Sequence, residues 1–205
     1  VLLTDPFCDV CTGNDKSVLA ARSAIVARVV ELIDGARNRV DIAQFTFSAR
    51  PIEEALMRAH GRGVAIRVAM DAGQDRDGSV ARRLRDAGLP LKFVRGAGAG
   101  ANPGIQHAKV MIVDGTTVLS GSNNWSSTGT TINDENVIIR TLPASDVRVV
   151  GHQCHFDAIW DGRVLEVGAC SAGPVAFSPS SAGLGLIRTA LRASTESIDV
   201  LMHHL

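Results

Sequence analysis

Apolar residues along this chain recur at two periods that take turns. In "SAIVARVVELIDGA" Ile25, Val29, Leu32, Ile33 and Ala36 fall on one helical face, and "RVDIAQFTFS" then places Val40, Ile42, Phe45 and Phe47 in a short β-rich run. "PIEEALMRAHGRG" opens with Pro51 in a favoured first-turn position, carries Ile52, Leu56 and Ala59 at helical spacing, and stops at Gly61 and Gly63. "VAIRVAMDAG" reads as a strand, "SVARRLRDAG" as a helix opened by Ser79, and "LKFVRG" as another strand. Strands alternating with helices predict an α/β fold, a mixed and largely parallel β-sheet flanked by helices on both faces.

The next segment changes character. "GAGAGANPG" (96–104) is a glycine loop, but it lacks the lysine and the serine or threonine of a phosphate-binding loop and runs into a strand, so it is expected to rim a site. "HAKVMIVDG", a "TT" turn and "VLSGS" then predict a hairpin, in which His107 and Lys109, two positions apart, project on the same face and can touch one ligand.

Composition narrows the setting. A chain of 205 residues with 45% hydrophobic residues buries one substantial core or a small pair. Lys+Arg and Asp+Glu both count 21, so no net field steers it toward nucleic acid or an anionic membrane, although Arg82, Arg83, Arg85, Lys92 and Arg95 form a candidate basic groove. No apolar stretch approaches the roughly 20 residues of a membrane span. The first residue is Val1, which points to a removed leader or a trimmed terminus. Cys8, Cys11, Cys154 and Cys170 are read as two structural disulfides of an oxidising compartment, Cys8 with Cys11 and Cys154 with Cys170, or in crossed pairing. A metal site using Cys154 with the flanking His152 and His155, or free thiols, are the alternatives. The expected location is therefore secreted or periplasmic.

Singly, a strand histidine, a lysine and an Asp-Gly turn carry no chemistry. Together they match a rarer pattern: a neutral histidine can attack phosphorus while a lysine and an asparagine amide offset charge on the phosphoryl oxygens. In this combination the sequence resembles the phospholipase D superfamily of phosphodiesterases, whose HxKxxxxD motif and following GSxN are present as His107, Lys109, Asp114, Gly121, Ser122 and Asn124. "INDENVIIR" looks like the family's acidic residue before the next strand, here Glu135, and "HFDAIWDG" like its closing helix; the resemblance covers roughly residues 22 to 165.

The resemblance implies a catalytic set of His107, Lys109, Asp114, Ser122, Asn124 and Glu135. His107 is expected to form a covalent phosphohistidine, Lys109, Ser122 and Asn124 to bind the phosphate, Glu135 to hold the imidazole tautomer, and Asp114 to serve structurally. No metal and no cofactor is expected, since cationic side chains replace the divalent ion.

The family uses two such motifs per site, one histidine attacking and its partner protonating the leaving alcohol. This chain holds one motif, yet "LIRTALRASTESIDVLMHHL" repeats the layout of "RVVELIDGARNRVDIAQFTF": Ile187 falls on Val29, Leu191 on Ile33, Ile198 on Val40, Asp199 on Asp41 and Val200 on Ile42. Residues 1–172 are therefore read as a first repeat and 173–205 as the start of a second, truncated one. The expected partner is a second motif-bearing segment or chain, otherwise a second copy in a homodimer. The expected substrate is a phosphodiester, with a phospholipid headgroup preferred, because the chain has no tyrosine for base stacking. The alternatives are an endonuclease acting on DNA or RNA by the same mechanism, and an inactive ligand-binding member that lacks the second histidine.

Overall fold

The computed structural model of the chain describes residues 1–3, 23–98 and 104–200. Cys8 and Cys11, most of the glycine loop, and residues 201–205 lie outside the described residues, and so do the expectations placed on them.

The elements in chain order are β1 (Leu2–Leu3), α1 (Ala24–Gly35), β2 (Arg39–Gln44), α2 (Arg50–Gly61), β3 (Ala65–Asp71), α3 (Val80–Asp86), β4 (Leu91–Val94), β5 (Val110–Val113), β6 (Thr117–Gly121), β7 (Asn136–Thr141), α4 (Val147–Trp160) and α5 (Ala182–Ala193). The start signals act as expected: Ser23 Oγ accepts from the Val26 N–H at 3.4 Å, Ser79 Oγ accepts from the Arg82 N–H at 3.2 Å, and Pro51 sits in the first turn of α2.

The strands form one mixed sheet in the order β1-β7-β6-β5-β2-β3-β4. Its parallel part is smaller than the sequence reading anticipated. Only β2, β3 and β4, joined through α2 and α3, run parallel; β5, β6, β7 and β1 pair antiparallel. The reason is local. A three-residue turn joins β5 to β6, and so short a connection cannot return a chain in parallel. That turn is Asp114 to Thr116, not the Thr116-Thr117 pair, and Thr117 already faces Val113 as the first residue of β6.

Alternation sorts the two faces. Val40, Ile42, Ile66, Val68, Met70, Met111 and Val113 enter the core shared with Ile25, Val29, Ile33, Ile52 and Leu56 of α1 and α2. Ala43, Ala69, Val110, Ile112 and Val118 pack on the opposite side against Val149, Phe156 and Ile159 of α4. On that side the fully buried Asp41 accepts both forks of Arg67, at 2.7 and 2.8 Å, and an amide from Gln153 of α4 at 3.0 Å. Arg67 also reaches Asp157 at 2.9 Å, which fixes α4 to the sheet.

Cys154 on α4 is bonded to Cys170. That satisfies the second cysteine pairing and removes the metal alternative at Cys154, whose thiolate that site required; His152 Nδ1 instead meets the Arg148 carbonyl at 2.7 Å and His155 stacks on Phe177. Downstream, α5 buries none of its residues, and Ile187 (58% exposed) and Leu191 (46%) stand open where the matching Val29 and Ile33 are wholly covered. Residues 198–200, expected as a strand, pair with nothing among the described residues, because an isolated strand has no ladder to complete.

Candidate active site

Because β5 runs antiparallel to β2, the residues just before Val110 lie beside those just after Gln44, at the edge where the parallel strands end. That is the edge at which open α/β sheets place their ligand sites. His107 and Lys109 therefore precede the strand instead of belonging to it, and both meet Phe45. The Phe45 and His107 rings are 4.8 Å apart edge to face, and the Lys109 ammonium lies 5.4 Å from the Phe45 ring centre. Lys109 Nζ also donates to the His107 carbonyl at 2.7 Å. Phe45 was read from the sequence only as an apolar strand position. The break in alternation between Ile42 and Phe45 was the available sign that the strand had ended.

The GSxN turn leaves β6 at the same edge. Gly121 lies opposite Val137, and a Cβ there would collide with the Asn136 carbonyl, so only glycine lets the strands close. Next to it the Ser122 N–H donates to the Asn136 carbonyl at 3.1 Å, and Ser122 Oγ accepts from the Asn136 N–H at 3.0 Å. The Ser122 hydroxyl proton is thereby left to donate elsewhere. Behind the turn, Asn123 Nδ2 donates to Gly129 O at 2.6 Å, and the Trp125 carbonyl accepts from the Ser48 and Ala49 N–H groups. Asn124 Oδ1 is buried without a hydrogen-bond partner among the described residues.

Acidic groups complete the edge. Glu135, immediately before β7, is nearly buried; its carboxylate receives Asn133 Nδ2 at 3.3 Å, and its charge acts on both His107 and Lys109. Asp71, not singled out in the sequence, is also buried and acts on His107; its carboxylate holds the Gln106 N–H at 2.8 Å and the Gly73 N–H at 2.8 Å. An aspartate ending a buried parallel strand was the signal for it.

Burial, reinforced by the neighbouring Lys109 cation, pulls the His107 pKa below its usual value despite the opposing carboxylates. Burial likewise lowers Lys109 to about 8, against the pull of Glu135. Near neutral pH the arrangement thus presents an unprotonated imidazole beside a charged ammonium, the states suited to attack on phosphorus and to stabilising phosphoryl oxygens.

Asp114, part of the motif but expected to serve structurally, sits at the far end of β5; its carboxylate accepts the backbone N–H groups of Arg37, Asn38 and Arg39 at 3.0, 2.7 and 2.9 Å. It is a structural tie between the hairpin and the entry to β2. One expectation needs correction: the basic residues do not form a groove. Arg82 pairs with Asp75 and Asp77, Arg83 with Glu53, Arg85 lies over Phe93, and Lys92 donates to the Trp160 carbonyl. Carboxylates engage Arg82, Arg83 and Arg85, Lys92 is held against Trp160, and Arg95 alone of the five lines the cavity that contains His107.

Comparison with known proteins agrees with this geometry. Residues 29–160 match the family described as cardiolipin synthase, PLD-like domain. The mitochondrial cardiolipin hydrolase of Xenopus tropicalis is 33% identical over 65% of this chain and 60% of its own length, and that of Homo sapiens 31% identical over 66% and 51%. The chain thus spans between one half and two thirds of these curated relatives. Among solved structures, Nuc of Salmonella typhimurium, a phospholipase D family member, is 28% identical with a TM-score of 0.59, covering 69% of this chain and 90% of that one. NucT of Helicobacter pylori, 23% identical at a TM-score of 0.61, shares the fold. These relatives overturn the expectation of a secreted or periplasmic protein: the curated ones are mitochondrial by name, and the Cys154–Cys170 bond seen among the described residues does not outweigh that.

Proposed function

The chain belongs to the phospholipase D superfamily of phosphodiesterases, and we propose that it hydrolyses a phosphodiester, with a phospholipid as preferred substrate, through a phosphohistidine on His107 and without a metal ion. The observation that carries this reading is the placement of the accessible His107 imidazole beside the buried Lys109, both against Phe45 at one edge of the sheet. In the first step an imidazole nitrogen of His107 forms a bond to phosphorus and the phosphorus–oxygen bond to one alcohol breaks. Lys109, the Ser122 hydroxyl and the Asn124 amide offset charge on the non-bridging oxygens. Glu135, whose carboxylate acts on the imidazole, stabilises the charge it gains. Water then attacks phosphorus and frees the histidine.

The departing alcohol needs a proton, and a second histidine from a second motif supplies it. Residues 173–205 are read as the beginning of a repeat that carries this motif, supported by the uncovered Ile187 and Leu191. A homodimer joined about a twofold axis is the other arrangement, favoured by the near-complete coverage of Nuc by the single-motif part of this chain. The nuclease reading has support from the same neighbour, whereas the curated relatives favour phospholipid.

The test is turnover of bis(p-nitrophenyl) phosphate in excess chelator, followed by parallel assays on cardiolipin, phosphatidylcholine and single-stranded DNA. Metal-free turnover with faster lipid than DNA hydrolysis is expected. Cleavage of DNA alone would move the assignment to the nuclease, and saturable phosphate binding without turnover would make the chain a ligand-binding member.

A further inference from the structure

Beside His107 opens a cavity of about 440 Å³ that the phosphoryl chemistry does not use. One wall is the approach to β5, with Ile105 and His107; the other is Ile159 of α4 together with Val164, Val167 and Phe177. The family match ends at residue 160, so Val164, Val167 and Phe177 come from outside the shared domain. This outer wall is built onto α4 deliberately. Cys170 is bonded to Cys154, and Gly151 lets the segment approach so closely that a Cβ there would stand 3.1 Å from Val175 Cγ2 and 3.2 Å from the Cys170 carbonyl. Phe177 is fixed by its N–H to Ser171 Oγ at 3.0 Å and by Ser180 Oγ on its carbonyl at 2.6 Å.

We propose that this cavity is a subsite for the alkyl portion of a lipid phosphodiester, seated next to the phosphorus that His107 attacks. The proposal rests on the phosphodiesterase reading and deepens it by naming which part of the substrate is recognised. The size falls within the range of ligand pockets, and apolar side chains outnumber polar ones in the lining, which also holds the charged Arg95 at its β4 end. A nucleobase fits it poorly. The one aromatic platform, Phe177, already has His155 stacked at 4.3 Å and His152 against its edge at 5.2 Å, leaving little free ring for a base. Burial, and secondarily His152, lower His155 to about 4, so at neutral pH this wall carries no charge that would oppose a hydrocarbon.

The test is calorimetric titration of the full chain with ethyl, butyl, hexyl and octyl phosphate below their aggregation concentrations. Each added methylene is expected to lower Kd about threefold to fourfold until the cavity is filled. Ala176→Trp, and independently Val164→Trp, fill the cavity from its wall; they are expected to abolish the chain-length dependence and leave ethyl phosphate binding unchanged. A flat series, no saturable binding of octyl phosphate, or adenosine monophosphate binding more tightly than octyl phosphate overturns the proposal, the last in favour of a base-binding subsite. A sloped series in a protein that never turns over bis(p-nitrophenyl) phosphate supports the subsite and refutes the enzymatic reading alone.

Discussion

Replacing Asp114 by alanine separates structure from catalysis within the motif. The side chain accepts three backbone N–H groups, from Arg37, Asn38 and Arg39, and its own backbone N–H reaches the Arg39 carbonyl at 2.8 Å. Those donors are partly open to water, so each lost bond counts at the low end of the usual range, about 0.5–1 kcal/mol. Asp114 also adopts a left-handed conformation at φ 51°, which aspartate tolerates and alanine resists by roughly 1 kcal/mol. The sum is about 2.5–4 kcal/mol, or a fall in Tm of roughly 5–16 °C for a chain of this size. Asp114→Asn, which keeps the tolerance and part of the bonding, should lose less than half of that. The loss should also depend on pH. Burial raises the Asp114 pKa, but the three N–H donors outweigh it and the net shift is downward. The share that depends on its charge is therefore complete above the ordinary aspartate range and is lost as pH falls through the lowered pKa, where the gap between wild type and variant narrows to the part that does not titrate. Thermal unfolding followed by circular dichroism, with kcat measured well below the transition, checks both. An unchanged Tm with a collapsed kcat would refute the structural role.

Four further outcomes follow from the site and its supports. The kcat/KM of a short phosphodiester should fall on the acid side as His107 gains a proton, below its usual pKa of 6.5, and on the alkaline side above about 8 as Lys109 loses one; Lys109→Arg should remove the alkaline limb while lowering the rate. Asp41→Asn strands the Arg67 fork beneath α4 and should cost about 2–3 kcal/mol in urea unfolding, with little effect on KM. Alkylation without reductant should leave Cys154 and Cys170 unlabelled, and Cys170→Ser, which opens a loop of 16 residues, should cost about 3 kcal/mol. His107→Asn should reduce turnover by at least about a thousandfold with an unchanged circular dichroism spectrum, since the swap is nearly isosteric.

The helices and parallel strands were legible because their signals are local: Ser23, Ser79 and Pro51 start helices, and the Val40-Ile42 and Ile66-Val68-Met70 alternations face one core. The antiparallel half was harder to read, since pairing direction depends on which strand lies beside β2, a contact between residues some 70 positions apart. His107, Lys109, Ser122 and Asn124 were legible as a motif. Phe45 and Asp71 were not, because they reach the site only through sheet register, which brings the ends of β2 and β3 beside the start of β5. The basic groove was misjudged for a related reason: a run such as Arg82-Arg83-Arg85 shows its charge in the sequence but not the Asp75, Asp77 and Glu53 that neutralise it.

The central claim is that His107 becomes covalently attached to phosphorus. Its most direct test is to mix the protein with bis(p-nitrophenyl) phosphate in excess chelator, quench at alkaline pH where phosphohistidine survives, and map the adduct by mass spectrometry. A p-nitrophenylphosphoryl group on His107, absent from His107→Asn, is the predicted result. Release of p-nitrophenol at an undiminished rate by His107→Asn, or its abolition by chelator in the wild type, would contradict the account.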